Sequence, residues 1–265
     1  MGEFIRGNEQ KEEEHVTDLN KATLKEIVTD DFRAAAVFER YSLDFCCRGG
    51  RTVENACIEK AVDKTSVLSE LQQLLRRGSS APDSLSGVSL SEVIGHVVAT
   101  HHAYVKKMVP VLRTHTQKVA AVHGANHPEV VGIARVFEAV AAELQEHMAK
   151  EEEVLFPYIN MLVGVSERNE QCARPPFGTI RNPVRMMEAE HRAAGDQLYE
   201  IRSLSSNYTP PADACTTFKV MYRELQDFEM DLHQHVHLEN NILFPGAVAM
   251  EAKRFAASPG VAQSS

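Results

Sequence analysis

Two stretches of the chain repeat one pattern: residues 147–157 read HMAKEEEVLFP and residues 235–245 read HVHLENNILFP. Both fit His-x-x-x-Glu-x-x-[Val/Ile]-Leu-Phe-Pro, and each continues an apolar stripe. From Phe218 the stripe runs through Met221, Leu225, Phe228, Leu232, His235, Glu239 and Ile242, in alternating steps of three and four. The earlier copy runs through Val136, Val140, Leu144, His147, Glu151 and Val154. Two further stripes carry one histidine each. One is Ile94, Val98, His102, Val105, Val109 and Leu112; the other is Val184, Met187, His191, Ala194, Leu198 and Ile201. Four such stripes constrain this part of the chain to an antiparallel four-helix bundle, with one histidine per helix turned inward.

A lone histidine on an apolar face is ordinarily a hydrogen-bonded core residue. Four imidazoles converging with two carboxylates are a different matter, because a buried carboxylate costs several kcal/mol unless it is paired or bound to a cation. The stripes bring no Lys or Arg to neutralise Glu151 and Glu239. A pair of divalent metals would do so. His102 precedes His147 by 45 residues and His191 precedes His235 by 44, so the bundle is two helix pairs, each supplying His, His and Glu. Such a set suits a symmetric dinuclear centre bridged by two carboxylates. Nitrogen and oxygen donors without thiolate fit iron, manganese or zinc, and two His per metal leave coordination positions open to a small molecule. Glu143 and Asp231 each precede a ligand histidine by one turn. They are candidates for orienting imidazoles, or equally for ordinary surface carboxylates. Glu152 and Glu153 are expected in solvent. His96, His101, His233 and His237 lie off the stripes and are expected at the surface or behind the ligands.

The whole chain reads as all-α. Residues 1–18 are a charged, disordered extension; residues 19–80 form a small helical domain with helices at 23–41, 53–62 and 65–77; residues 88–255 form the bundle. The run Gly78-Ser-Ser-Ala-Pro-Asp-Ser-Leu-Ser-Gly87 marks the boundary. In the bundle, Ser89 and Glu92 have capping-box spacing before a helix that ends near Leu112. A second helix runs from Pro128 to about Pro157, and a third from an Asn182 cap to about Ser205. The fourth runs from about Ala212 to Pro245. With 28 Lys and Arg against 37 Asp and Glu, the net charge is −9, which argues against nucleic acid and anionic lipid. No window approaches eighteen consecutive apolar residues, so no membrane span is expected. The five cysteines, with Cys46 and Cys47 adjacent, fit a reducing, cytoplasmic setting.

These residues carry a resemblance. The bundle resembles the hemerythrin-like domain. The whole chain resembles the repair-of-iron-centres family, in which an ScdA-type N-terminal domain precedes a di-iron bundle. The matching landmarks are Tyr-Ser-Leu-Asp-Phe-Cys-Cys at 41, the repeat at 147, Glu-Ala-Glu-His-Arg-Ala-Ala-Gly at 188, Pro-Pro-Ala-Asp-Ala-Cys-Thr-Thr-Phe-Lys at 210 and Leu-Glu-Asn-Asn-Ile-Leu-Phe-Pro at 238. The resemblance implies a non-haem di-iron centre, with or without an oxo bridge, with His102, His147, His191 and His235 as terminal ligands and Glu151 and Glu239 as bridges. It implies a cytoplasmic bacterial protein, monomer or homodimer, that restores iron–sulfur clusters damaged by nitric oxide or oxidants, as iron donor. Damaged iron–sulfur proteins and NO or O2 would be its partners.

Cys46 and Cys47 are candidates for a redox or iron/NO-transfer site; the alternative is a compact turn of small side chains. The family follows its cysteine pair directly with Gly-Gly, whereas here Arg48 intervenes, and an adjacent cation would favour thiolate. Cys57, Cys172 and Cys215 have no ligand spacing and read as structural. Two rival functions use the same six ligands: an O2 or NO sensor or store, and a di-iron NO reductase or peroxidase.

Overall fold

The computed structural model describes residues 18–256 apart from Phe32, Cys47, residues 77–87, Asn169 and residues 171–173. The expected extension and boundary run, together with Cys47 and Cys172, therefore lie outside the described residues. Elsewhere the described chain is helical, its one strand-like feature a single antiparallel bridge between Thr23 and Thr52.

The N-terminal part holds α1 (Leu24–Asp30), α2 (Ala34–Arg40), α3 (Val53–Lys60) and α4 (Lys64–Arg76). The single helix expected over 23–41 is two. Asp31 takes an extended conformation after α1, and its carboxylate accepts from the backbone N–H of Arg33 at 3.0 Å and from the Arg33 side chain. An Asp bonding its own downstream backbone offers the chain an alternative to helix. Thr23 caps α1 with a complete capping box to Glu26. The cysteine loop is pinned beside it, with the N–H of Leu24 donating to Arg51 O and that of Lys25 to Gly49 O, both at 2.9 Å. Gly49 admits no side chain, since a Cβ there would stand 2.0 Å from Phe45 O.

The bundle holds four long helices, α5 to α8, three of them interrupted by a π-helical turn. In α5, the segment Leu90–His96 leads into the π turn Val97–His102 and then Ala103–His123. In α6, Pro128–Lys150 leads into Glu151–Leu155 and then Phe156–Glu167. Helix α7 is Arg181–Leu204, and α8 is Thr216–Leu238, the π turn Glu239–Leu243 and Phe244–Ala256. Ser89 forms the expected capping box with Glu92. Asn182 is not a cap; Ile180 precedes α7 as N-cap, and the Asn182 amide donates to Phe177 O at 2.9 Å.

Three helices run beyond their expected ends. Pro110 lies inside α5, and Pro157 and Pro245 each stand two residues past the end of a π turn. A proline lacks the N–H that an α turn would use and crowds the carbonyl four residues back. The widened π turn accommodates both at its return to α-helix. Each π turn inserts one residue, a feature common at functional sites, and the insertion moves the apolar stripe. Val154 is 50% exposed and Leu155 is 1% exposed. Leu243 likewise is fully buried, while the expected Ile242 is only partly so.

The ligand stripes divide the bundle core. One apolar cluster contains Val105, Leu144, Met148, Ala194, Leu232 and Val236 and is continuous with Phe38, Phe45 and Leu71 of the N-terminal part. The other contains Ile94, Val97, Phe156, Met187, Leu238 and Phe244. Between them lies a layer of buried histidine and glutamate. The N-terminal part also docks through polar groups. Arg202 on α7 grips Glu229 on α8, its Nε donating to both carboxylate oxygens at 3.1 and 3.0 Å, and its Nη1 reaches Ser42 Oγ at 3.0 Å. Tyr208 OH donates to the same carboxylate at 2.7 Å. Burial and that anionic partner raise the Tyr208 pKa, keeping the phenol protonated.

Candidate metal centre

The six candidate ligands meet in the polar layer, each at 3% exposure or less. The π turns place them: His102 ends the turn of α5, and Glu151 and Glu239 begin those of α6 and α8. His147 and His235 stand one α-helical turn before the glutamates, and His191 projects from the middle of α7. The imidazoles pair across the bundle. His102 Nε2 is 3.1 Å from His235 Nε2, and His147 Nε2 is 3.0 Å from His191 Nε2. Glu151 offers Oε2 to His102 and Oε1 to His147, each at 3.3 Å. Glu239 offers Oε1 to His235 at 3.0 Å and Oε2 to His191 at 3.2 Å. Each carboxylate thus spans both imidazole pairs. Two four-donor groups result, His102/His235 and His147/His191, each completed by Glu151 and Glu239 with donor atoms within 4.8 Å of one another.

This geometry fits a cation in each group. His102 Nδ1 lies 2.6 Å from Glu152 Oε1, His147 Nδ1 2.9 Å from Glu190 Oε2, and His191 Nδ1 2.9 Å from Asn240 Oδ1. Oxygens of this kind only accept, which assigns the ring proton to Nδ1 in the neutral imidazoles and leaves Nε2 a bare lone pair. Bare nitrogens of His147 and His191 facing each other at 3.0 Å repel unless a cation lies between them. Both oxygens of Glu151 and Oε2 of Glu239 are buried without a hydrogen-bond partner among the described residues, a condition that a coordinated cation relieves.

Without an ion, protons take part of that role. Burial opposes a charged imidazole at His147, but the neighbouring Glu151 and Glu239 outweigh it and raise the pKa to about 9. His102 is raised by the same balance, whereas burial dominates at His235 and lowers it. Burial also opposes the charged form of Glu239, yet His235 and His191 hold its carboxyl well below the usual range. Both carboxylates are therefore ionised at neutral pH, and the layer demands positive charge.

The groups behind the ligands differ from those expected by position. Glu143 is exposed and receives Gln197 Nε2 at 3.2 Å rather than an imidazole. Asp231 meets His101 at 3.0 Å, not a ligand. Glu152, expected in solvent, holds His102 and is itself gripped by Lys106 Nζ at 2.7 Å. Glu190 holds His147 and is gripped by Lys150 at 2.6 Å. Glu190 and Asn240 are neighbours of ligands in sequence but face a different helix, so stripe spacing carries no signal for them. His101 and His237 are buried and His233 half-buried. The His101 ring lies parallel to His235 at 5.6 Å, and His233 meets Glu39 of α2 at 3.1 Å.

Cys46 is 7% exposed and donates its thiol hydrogen to Asp44 Oδ1 at 3.3 Å. The Arg48 guanidinium turns to Glu59 at 3.3 Å, so the cation expected beside the thiol is engaged elsewhere. Cys46 and His191 line one cavity of about 360 Å³ between the N-terminal part, α7 and α8. Cys57 is buried in α3, with its thiol pKa raised by that burial. Cys215 is the exposed N-cap of α8, 3.2 Å from His123 Nε2.

Comparison with known proteins agrees with this layout. The profile of the hemerythrin HHE cation binding domain matches residues 93–247, and that of the ScdA_N domain, of unknown function, matches residues 20–75. The iron-sulfur cluster repair protein YtfE of Enterobacter sp. (strain 638) is 36% identical over 228 residues, covering 86% of this chain and 97% of its own. A probable iron-sulfur cluster repair protein of Haemophilus influenzae is 35% identical over 225 residues, covering 84% and 94%. YtfE of Escherichia coli O157:H7 is 35% identical over 220 residues, covering 83% and 93%. With two matching domains in the same order and relatives aligned along most of their length, the chain belongs to the hemerythrin-domain iron–sulfur cluster repair proteins.

Proposed function

We propose that this protein holds two iron ions on His102, His147, His191, His235, Glu151 and Glu239, and supplies iron to iron–sulfur clusters damaged by nitric oxide or oxidants. The observation that carries the reading is the pair of facing Nε2 lone pairs, 3.0 and 3.1 Å apart, spanned by two buried carboxylates. Two irons supply redox chemistry and coordination positions open to NO or O2 when bound. The protein's own groups do the rest. Glu151 and Glu239 neutralise and hold the pair; Glu152 and Glu190 fix the proton of His102 and His147 on Nδ1 and keep Nε2 free to ligate. Cys46, on the cavity that reaches His191, is placed to receive iron or NO from that side, and we assign the same role to its neighbour Cys47. No described helix is long and apolar enough to cross a membrane, and we assign the protein to a reducing cytoplasm, in which the thiols of Cys46, Cys57 and Cys215 persist.

Anaerobic incubation of the iron-loaded protein with a nitrosylated iron–sulfur enzyme tests the donor role. Recovery of client activity above that given by equimolar free ferrous iron is expected, and recovery no better than free iron would sink it. A gas sensor or store would instead bind NO or O2 reversibly and be indifferent to Cys46→Ala. A reductase would turn over NO with an added reductant.

A further inference from the structure

The two four-donor groups share their carboxylates but not their surroundings. Among the described residues, two cavities are lined by His147 or His191, and a third lies beside the amide that holds His191. The cavity of about 360 Å³ beside Cys46 is walled in part by His191. One of about 150 Å³ between α6 and α7 is lined by Glu143, Glu190, His147 and His191. A third of about 210 Å³ joins Cys46 to Asn240, the amide that holds His191. At the other pair a further buried ring covers one imidazole. His102 stacks on Phe156 at 5.7 Å much as His191 does on Phe244 at 6.0 Å, but His235 also lies parallel to His101, which Asp231 fixes. His102 and His235 are 0% and 1% exposed.

The supports behind the imidazoles do not separate the two pairs: each has one imidazole on a lysine-backed carboxylate, His102 on Glu152 with Lys106 and His147 on Glu190 with Lys150. The second imidazole of each pair differs, with His191 leaning on a neutral amide at 2.9 Å. A carboxylate behind a ligating imidazole raises its basicity more than an amide does, and such supports are worth about 10- to 100-fold in metal affinity. His235 Nδ1 is buried without a partner among the described residues, so the supports taken alone favour the His147/His191 pair. That lowers the strength of one donor, but it opens no route for water or a competing ligand, and a metal is extracted only where one can enter.

We infer that the two metal positions are kinetically unequal: the His147/His191 position exchanges its ion with the outside, and the His102/His235 position retains its own. This rests on the reading of the centre as dinuclear. It makes the exchangeable ion the one beside the cavities, with Asn240 setting its lability.

The test is anaerobic loading with two ferrous ions per chain, followed by stopped-flow release to an excess of a coloured chelator. Two phases of one ion each are expected. Since loss of a first ion could by itself slow the second, substitutions assign the phases. Asn240→Asp, which puts a carboxylate behind His191, should slow the fast phase by about tenfold and leave the slow one in place. Glu152→Gln should quicken the slow phase and leave the fast one. A single rate for both ions, or Asn240→Asp acting on the slow phase alone, overturns the inference. Failure of the chain to take up two ions, seen by metal analysis before chelator is added, overturns the dinuclear reading and this inference with it.

Discussion

His147 Nε2 and His191 Nε2 lie 3.0 Å apart, on neighbouring helices and 44 residues apart in sequence, with Glu151 and Glu239 completing their group. The neighbouring pair repeats the arrangement, so each carboxylate serves both groups, and in the proposed centre losing one bridge damages both positions. Glu239→Ala is expected to reduce bound iron from two ions to at most one per chain while leaving the far-ultraviolet circular dichroism helical. Metal analysis of protein purified without oxygen checks this; two retained ions would refute the bridge.

Charge compensation in the metal-free layer gives stability a pH dependence. The His147 pKa is raised from 6.5 to about 9 by folding. A raised pKa contributes stability that is fully present below pH 6.5 and is lost as pH rises through about 9. The metal-free protein should therefore melt at progressively lower temperature from pH 6.5 to pH 9. Metal binding must remove the same proton, so apparent metal affinity rises over that window and the loaded protein is protected there. Melting curves of both forms across the range decide it.

The π turn in α6 places Leu155, not Val154, in the core. Leu155→Ala should cost about 2 to 5 kcal/mol, as large-to-small changes in a packed core do. Val154→Ala should cost less than about 1 kcal/mol, because half of that side chain is already in water. Urea unfolding of the two variants measures the register directly, and an uninterrupted α-helix would reverse the order.

Arg202 and Glu229 form a largely buried ion pair that also ties Ser42 to the bundle. Arg202→Ala strands a buried carboxylate and should destabilise the protein by about 3 to 5 kcal/mol. Replacing both partners together, with Arg202→Met and Glu229→Leu, should cost much less, since no uncompensated charge remains. Equal losses in the two variants would show that the pair acts through packing alone.

Much of the fold and the centre was legible in the sequence. Phe218, Met221, Leu225 and Phe228 face the core as their spacing indicates, and the inward histidines with a glutamate one turn later were visible as interruptions in otherwise apolar stripes. What spacing missed is instructive. Val154 and Ile242 were misplaced because periodicity assumes one helical pitch, and the π turns change it for a single turn. Glu143 and Asp231 stood one turn before ligands yet hold Gln197 and His101. The carboxylates that hold imidazoles, Glu152 and Glu190, do so across helix boundaries, 50 and 43 residues away in the chain.

The sequence by itself determined the helical bundle, the six donors and the demand for a cation. Those follow from local spacing and from the cost of burying charge, neither of which needs a partner helix to be specified. Only the tertiary structure decided which imidazoles share a four-donor group. It joins His102 to His235 and His147 to His191, rather than the neighbours within each sequence repeat. It also decided that His147 and His191 line cavities, one of which His191 shares with Cys46, while His235 is covered by the ring of His101. Helix packing sets these relationships, because side chains with identical spacing on their own helices meet different neighbours once the helices are assembled.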